Sequence, residues 1–466
     1  MLTRNLVAAA IMTAFVGPAL AQDAELAKIR AEIEQIKKLY EQRIDALEKR
    51  LAETEVKAGT AGITAARAET AAVSAANRSG ENAFNPAISL VLQGTYARTS
   101  QDPNAYRITG FVPSGGEVGP PKRSFGLGES ELAIAANIDP YFRGVAIASL
   151  APEGGAAIEE AYFQTLALPS GLTLKGGRFF SGLGYLNDQH QHAWDFQDAP
   201  LPYKAFLGNQ LRQDGLQLKW VAPTDLLVEL GAEISAGDQF PGSDRNKNGV
   251  GGSSVFGHVG GDLGASTAWR TGLSYLKTSP RDRSYEDLDA LGGAVANRFT
   301  GNAKLWVADA ILKWAPNGNA TQTSFKLQGE YFRLSQNGRS TYDDTAGSGV
   351  FGVLSDTFDA RQSGWYLQGI YQFMPQWRVG YRHDRLNSGT VNNGIVANGL
   401  GPTAADFSLL TPYSPSRNTL MFDWSPTEFS RIRLQLAQDK SRLGVNDNQI
   451  LVQYIYSLGA HGAHKF

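Results

Sequence analysis

The densest run of ligand-type side chains in the chain is Asp188, His190, His192, Asp195 and Asp198, with Lys204 shortly after. Imidazole nitrogens and carboxylate oxygens at this density are the donors that Zn²⁺ and similar divalent cations take. An ordinary polar loop whose histidines make hydrogen bonds would carry the same residues, and a loop does not fix an i, i+2 pair as a helix fixes i, i+4. His461 and His464 form a second, sparser imidazole pair. Asp244-Arg-Asn-Lys-Asn-Gly249 follows the first half of a calcium loop, but Val255 stands where the bidentate Glu belongs, so either a weak Ca²⁺ site or a plain Gly/Asn-rich loop accounts for it. No cofactor is expected beyond such Zn²⁺ or Ca²⁺ binding in external loops.

Other chemistries are poorly provided for. There is no cysteine, which removes thiolate metal sites and Cys nucleophiles and suits an oxidising compartment. No Gly-x-Ser-x-Gly elbow occurs, and an enzyme is not expected. A formal net charge of −2 gives no basic surface for nucleic acid. Charged residues do recur within alternating segments. The basic ones are Lys175, Lys219, Lys326, Arg378, Arg382, Arg431 and Arg433; the acidic ones are Glu129, Glu131, Glu229, Glu233, Glu330, Asp384 and Asp423. If the polar faces line a lumen, these are the pore-lining candidates, and the ring at the constriction would set ion preference. The other reading is solvated wall and rim charge.

The elements that must position these residues change character along the chain. Residues 1–21 read as a secretory signal peptide: Arg4, an apolar run from Leu6 to Leu20, and a small-x-small cleavage pattern at Ala19–Ala21. Residues 22–56 read as a coiled coil, with Leu26, Ile29, Ile33, Ile36 and Tyr40 on a heptad seam and Ile44, Leu47, Leu51 and Thr54 continuing it after one extra residue. Isoleucine on both seam sublattices favours three or more strands; a single amphipathic helix packed on a domain is the alternative. Residues 57–84 are an Ala/Ser/Thr-rich linker. From Asn85 the hydrophobic period becomes 2, as in Leu226, Val228, Leu230 against Glu229, or Phe325, Leu327, Tyr331 against Lys326 and Gln328. Alternating segments of about ten residues predict an all-β, transmembrane antiparallel barrel over 85–466.

Connections sort into two classes. Short turns are expected at 139–140, 168–171, 222–225, 315–318, 374–376 and 425–427; long polar loops at 99–124, 181–209, 235–253, 279–302, 335–361 and 387–417. Aromatics gather beside the short turns, among them Tyr141, Trp220, Trp314, Trp377 and Trp424, as an interfacial girdle would. The count is about sixteen strands. A soluble sandwich also alternates but needs neither the length sorting nor the girdle.

Three features carry a family resemblance: Leu172–Phe179 (LTLKGGRF), the heptads with Arg43–Leu51 (RIDALEKRL), and the strand count. They resemble the phosphate-selective porin O/P family and its coiled-coil relatives. Phe125–Asp139, His192–Leu201 and the closing Ser457–Phe466 are similar to a branch of envelope proteins whose names invoke zinc regulation or TonB dependence. The resemblance implies a homotrimeric, sixteen-stranded channel in the Gram-negative outer membrane, in contact with its lipid. The coiled coil would lie in the periplasm, in reach of the cell wall. It implies passive diffusion of small hydrophilic or anionic solutes. It also assigns Ser181–Asn209 the inward-folding third loop that narrows the lumen. An outer-membrane receptor or transporter for a metal or metal complex, or a structural tether, are the other functions in view. A TonB-dependent receptor carries a large plug before twenty-two strands, for which the chain has little room.

Overall fold

The computed structural model describes residues 86–459 apart from 116–117 and 152–153, together with Glu34 and Lys38. The signal peptide, nearly all of the coiled coil, the linker and His461 and His464 therefore lie outside the described residues.

Eighteen strands form one antiparallel sheet, and β1 (Ala87–Thr99) pairs with β18 (Asp447–Gly459) to close it. Two wall positions are shared. β2 (Ser124–Leu127) and β3 (Ser130–Asn137) both pair with β1, and β10 (Thr267–Thr278) and β11 (Arg283–Leu288) both pair with β12 (Ala294–Trp314). The barrel thus has sixteen wall positions, the number read from the alternation. Closure removes the edges that an open sheet would leave unpaired in lipid. The remaining strands are β4 (Phe142–Leu150), β5 (Ala156–Thr165), β6 (Leu172–Phe180), β7 (Arg212–Val221), β8 (Leu227–Ser235), β9 (Gly252–Leu263), β13 (Ser324–Asp343), β14 (Val353–Met374), β15 (Trp377–Asn393), β16 (Ser416–Thr427) and β17 (Ser430–Lys440).

The outer face is apolar in a bounded band. Along β12 the outward residues run Trp306, Ala308, Ala310, Leu312, Trp314, while Arg298, Thr300 and Lys304 point outward beyond Trp306. The nine residues from Trp306 to Trp314 run roughly 26 Å along the strand, in line with the about 9–11 residues that a tilted strand needs to cross a bilayer. Tyr331 and Trp365 are exposed with Trp306 at one border; Trp314, Phe373, Trp377 and Trp424 are exposed at the other. The alternation had shown only the girdle beside the short turns. The second lies in mid-strand, where no turn marks it.

The long loops are shorter than the polarity suggested, because the strands outrun the band. β12, β13 and β14 have 21, 20 and 22 residues. The stretches 279–302 and 335–361 are therefore in large part strand: Arg283–Leu288 pairs with Ala294–Phe299, and Gln336–Asp343 with Val353–Ala360; 387–417 stays mostly loop, with strand only up to Asn393 and from Ser416. Polar residues on both faces looked like loop, yet hydrogen-bonded hairpins form readily where water solvates both faces. At the opposite end β16 runs on to Thr427, so the last short turn is Glu428–Phe429 rather than 425–427.

The Gly-Gly of LTLKGGRF has a local explanation. Gly177 has φ of +126°, and a Cβ there would stand 2.3 Å from the Ala161 carbonyl oxygen of β5. At Gly176 a Cβ would meet the Phe163 ring at 2.6 Å. β5 and β6 hydrogen-bond over only four residue pairs, and these glycines permit the close approach.

Candidate functional site

Residues 181–211, between β6 and β7, fold into the barrel. The neck of this loop is cinched by Asn187, whose side-chain amide donates to the Ser181 and Leu211 carbonyls and accepts from the Leu211 N–H at 2.7 Å. Beyond the neck, Glu330 of β13 accepts from the backbone N–H groups of Tyr185 and Leu186 and from the Tyr203 hydroxyl. A short helix of 7 residues, Leu201–Leu207, has every residue buried and ends on Gly208 in the left-handed region.

Its apolar face explains an exception in the wall pattern. Leu183, Leu186, Trp194, Leu201, Tyr203 and Phe206 pack against Leu276, Leu305, Val307, Phe332, Leu334, Tyr366 and Leu386. Those wall residues face inward yet are apolar. The loop buries them, so part of the lumen is a packed hydrophobic core.

The loop's other face meets the basic candidates. Asp195 lies 2.9 Å from the Lys326 Nζ and 3.0 Å from an Arg378 nitrogen. Asp198 takes Arg382 at 3.1 Å, Lys204 at 3.0 Å, and Arg417, with Gln435 donating as well. Arg433 holds Asp423 at 2.8 Å and donates to the Trp194 carbonyl; Arg431 donates to that of His192. Arg382 also meets Asp384 at 3.3 Å. Burial would raise the pKa of both loop carboxyls, but Lys326 and Arg378 beside Asp195, and Arg417, Lys204 and Arg382 beside Asp198, hold them below the usual carboxylate range. These cations are therefore spent on fastening the loop: Arg382, Arg417 and Arg433 are at most 1 % exposed. Arg417 was not singled out in the sequence, since it sits at a strand's beginning in what read as loop.

Lys175 and Lys219 have a different setting. With Arg270, Asp188, Glu229 and His258 they line a cavity of about 180 Å³ on the side of the loop away from the arginines. Lys219 pairs with Glu229 at 3.0 Å, and Glu229 with His258 at 3.1 Å. Glu233 accepts from Ser181, Gly182, Gln213, Gln217 and Ser254 and braces the loop's start. Glu129 is half-buried at the break between β2 and β3.

The five-residue ligand run is divided by the fold. Asp195 and Asp198 face the basic wall, and Asp188 lines the cavity. His190 and His192 turn to the acidic wall instead. His190 Nδ1 is 3.1 Å from Glu131 and 3.5 Å from Glu159, its Nε2 is 3.0 Å from Glu160, and His192 Nδ1 is 3.0 Å from Glu131. Burial opposes protonation of His190, but the three carboxylates outweigh it and hold its pKa well above the ordinary imidazole value. Glu159 and Glu160 went unremarked in the sequence because two adjacent strand residues should face opposite ways. The calcium-like run, residues 244–249, is largely exposed loop in which Asp244 accepts from the Asn246 N–H at 2.9 Å.

No family model matches the chain. It is 29 % identical to an uncharacterized protein of Aquifex aeolicus over 415 residues, covering 83 % of this chain and 81 % of that one. Among solved structures it is similar to a loop-deletion mutant of OmpT, an outer membrane protein of Vibrio cholerae, at 10 % identity and a TM-score of 0.48, over 80 % of this chain and 99 % of that one. It is likewise similar to an anion-selective porin from Comamonas acidovorans at 10 % identity and a TM-score of 0.47, over 80 % and 99 %. OprB of Pseudomonas putida matches at 12 % identity and a TM-score of 0.46, over 80 % and 94 %.

Proposed function

We propose that the chain is an outer-membrane porin for passive diffusion of small hydrophilic solutes. One observation carries the reading: a closed sixteen-position barrel with a girdled apolar exterior holds, inside a charged interior, a loop that narrows it. Lipid contact follows from that exterior. Energised uptake has less support, because sixteen wall positions fall short of a receptor's twenty-two and the described interior is filled by a wall loop rather than a separate plug. Purified protein in planar bilayers should give discrete conductance steps. Silence from correctly folded protein would instead favour a tether.

The finer reading concerns charge. Lys175, Lys219 and Arg270 line the cavity together with Asp188 and Glu229, a slight cationic excess that favours small anions. Lys175→Glu/Lys219→Glu should reverse the sign of the reversal potential in a salt gradient; an unchanged potential would place the ion path elsewhere. A specific phosphate ladder has little support, since Arg378, Arg382, Arg417 and Arg433 are held by carboxylates. Assembly as a homotrimer, with Leu26–Leu51 as a periplasmic coiled coil, belongs to the same proposal. If the seam assembles the protein, Ile33→Asp/Ile36→Asp should abolish heat-resistant trimers on unboiled gels, because it buries charges without partners.

A further inference from the structure

The register of β5 against β4 slips by one residue: Ile147 pairs with Glu160 and Ala148 with Ile158, leaving Glu159 as an extra residue. Such a bulge re-aims a side chain. Both Glu159 and Glu160 consequently point inward, 8 % and 7 % exposed. With Glu131 from β3 they make three buried carboxylates around one loop tip, faced by two imidazoles. Ligand atoms of Glu131, Glu159 and His190 lie within 4.8 Å of one another. Glu159 Oε2 and His190 Nδ1 are buried in this space, and the contacts of Nδ1 to Glu131 at 3.1 Å and to Glu159 at 3.5 Å lack hydrogen-bond geometry. Around them the remaining polar atoms are already engaged. His190 Nε2 meets Glu160 at 3.0 Å, Glu131 Oε1 meets His192 at 3.0 Å, and the Phe180 N–H donates to Glu160 at 3.1 Å.

We propose that Glu131, Glu159 and His190 bind one divalent cation of the Zn²⁺ type, tying the inward loop to the barrel wall opposite the arginines. The donor set is one imidazole nitrogen and two carboxylate oxygens, a three-ligand arrangement that leaves a position for water. Glu160 accepts from His190 Nε2 and so orients the ring behind a metal at Nδ1, the carboxylate–histidine–metal relay found behind ligating histidines; the ion would displace the proton that the carboxylates otherwise keep on Nδ1. A 2+ charge also offsets the excess of carboxylates over imidazoles. The ligands come from two strands and the loop, so the ion would clamp the loop at a second point, remote from Asp195 and Asp198.

The test uses the untagged full chain carrying His461→Ala/His464→Ala, which removes the competing terminal imidazoles, stripped with chelator and kept in detergent. Titration calorimetry with ZnCl₂ should show one ion bound per chain with micromolar or tighter Kd. Glu159→Gln, which keeps the shape of the side chain, should weaken binding at least tenfold, as should His190→Ala, with heat-modifiable mobility confirming that each barrel is folded. No saturable binding, or the same Kd in the parent and Glu159→Gln, would overturn the proposal. Calorimetry reads the ion whether or not the protein conducts, so this outcome is separate from the channel test.

Discussion

Deleting Asp188–Asp198 should roughly double single-channel conductance or more, and should also shift selectivity toward anions. The segment holds the loop's width across the lumen between the histidine cluster on one wall and Lys326, Arg378, Arg382, Arg417 and Arg433 on the other. Its removal leaves the neck at Asn187 and the helix Leu201–Leu207 in place, so the opening falls in the middle of the lumen. The wall arginines then lose Asp195 and Asp198 and face the solute path. Two signatures are therefore expected together, larger current and a changed reversal potential. A larger current alone would mean that Asp384, Asp423 and Asp439, the last 3.6 Å from Arg417, neutralise the wall without help from the loop. Unchanged conductance would show that this segment does not set the constriction.

Asp198→Ala should loosen the loop while leaving the barrel closed. Asp198 is the shared anion of Arg382, Arg417 and Lys204. Without it three buried cations repel one another, a loss of about 3–5 kcal/mol when one partner of a buried ion pair is removed. The sheet hydrogen bonds do not pass through Asp198, so the cost falls on docking of the loop. Backbone amides of Trp194–Leu207 should exchange far faster with deuterated solvent, while those of β12–β14 stay protected. The native carboxyl also fixes a pH expectation. Its folded-state pKa is depressed, so its contribution is complete above the ordinary carboxylate value and is lost only as pH falls through the lower folded value. In wild type the loop should stay protected at about pH 4, near the unperturbed carboxylate value. Equal exchange in Asp198→Ala and wild type would locate the loop's anchorage in its apolar face alone.

The wall was largely legible in the sequence. A period of 2 is a property of neighbouring residues, and Leu226–Leu230 or Phe325–Tyr331 alternate because one face meets lipid and the other meets polar groups. Short turns at Pro and Gly were legible for the same local reason. The strand ends away from those turns were not. Once both faces of β12–β15 leave the apolar band, no periodicity distinguishes a solvated hairpin from a loop.

The chain by itself determined the period of its strands, the number of wall positions, and the two imidazoles set among carboxylates at 188–198. Which charges meet was decided only by the tertiary structure. Asp195 and Asp198 went to arginines more than 180 residues away in sequence. His190 and His192 went to Glu131, Glu159 and Glu160, because a single bulged residue turned two adjacent side chains to one face. Leu305, Val307, Phe332 and Leu334 break the inward-polar rule, because a loop more than ninety residues earlier in the chain lies on them. Periodicity is set by contacts between neighbours and the medium they face. Pairing across the lumen depends on closure, register and one irregular residue, which have no local signature.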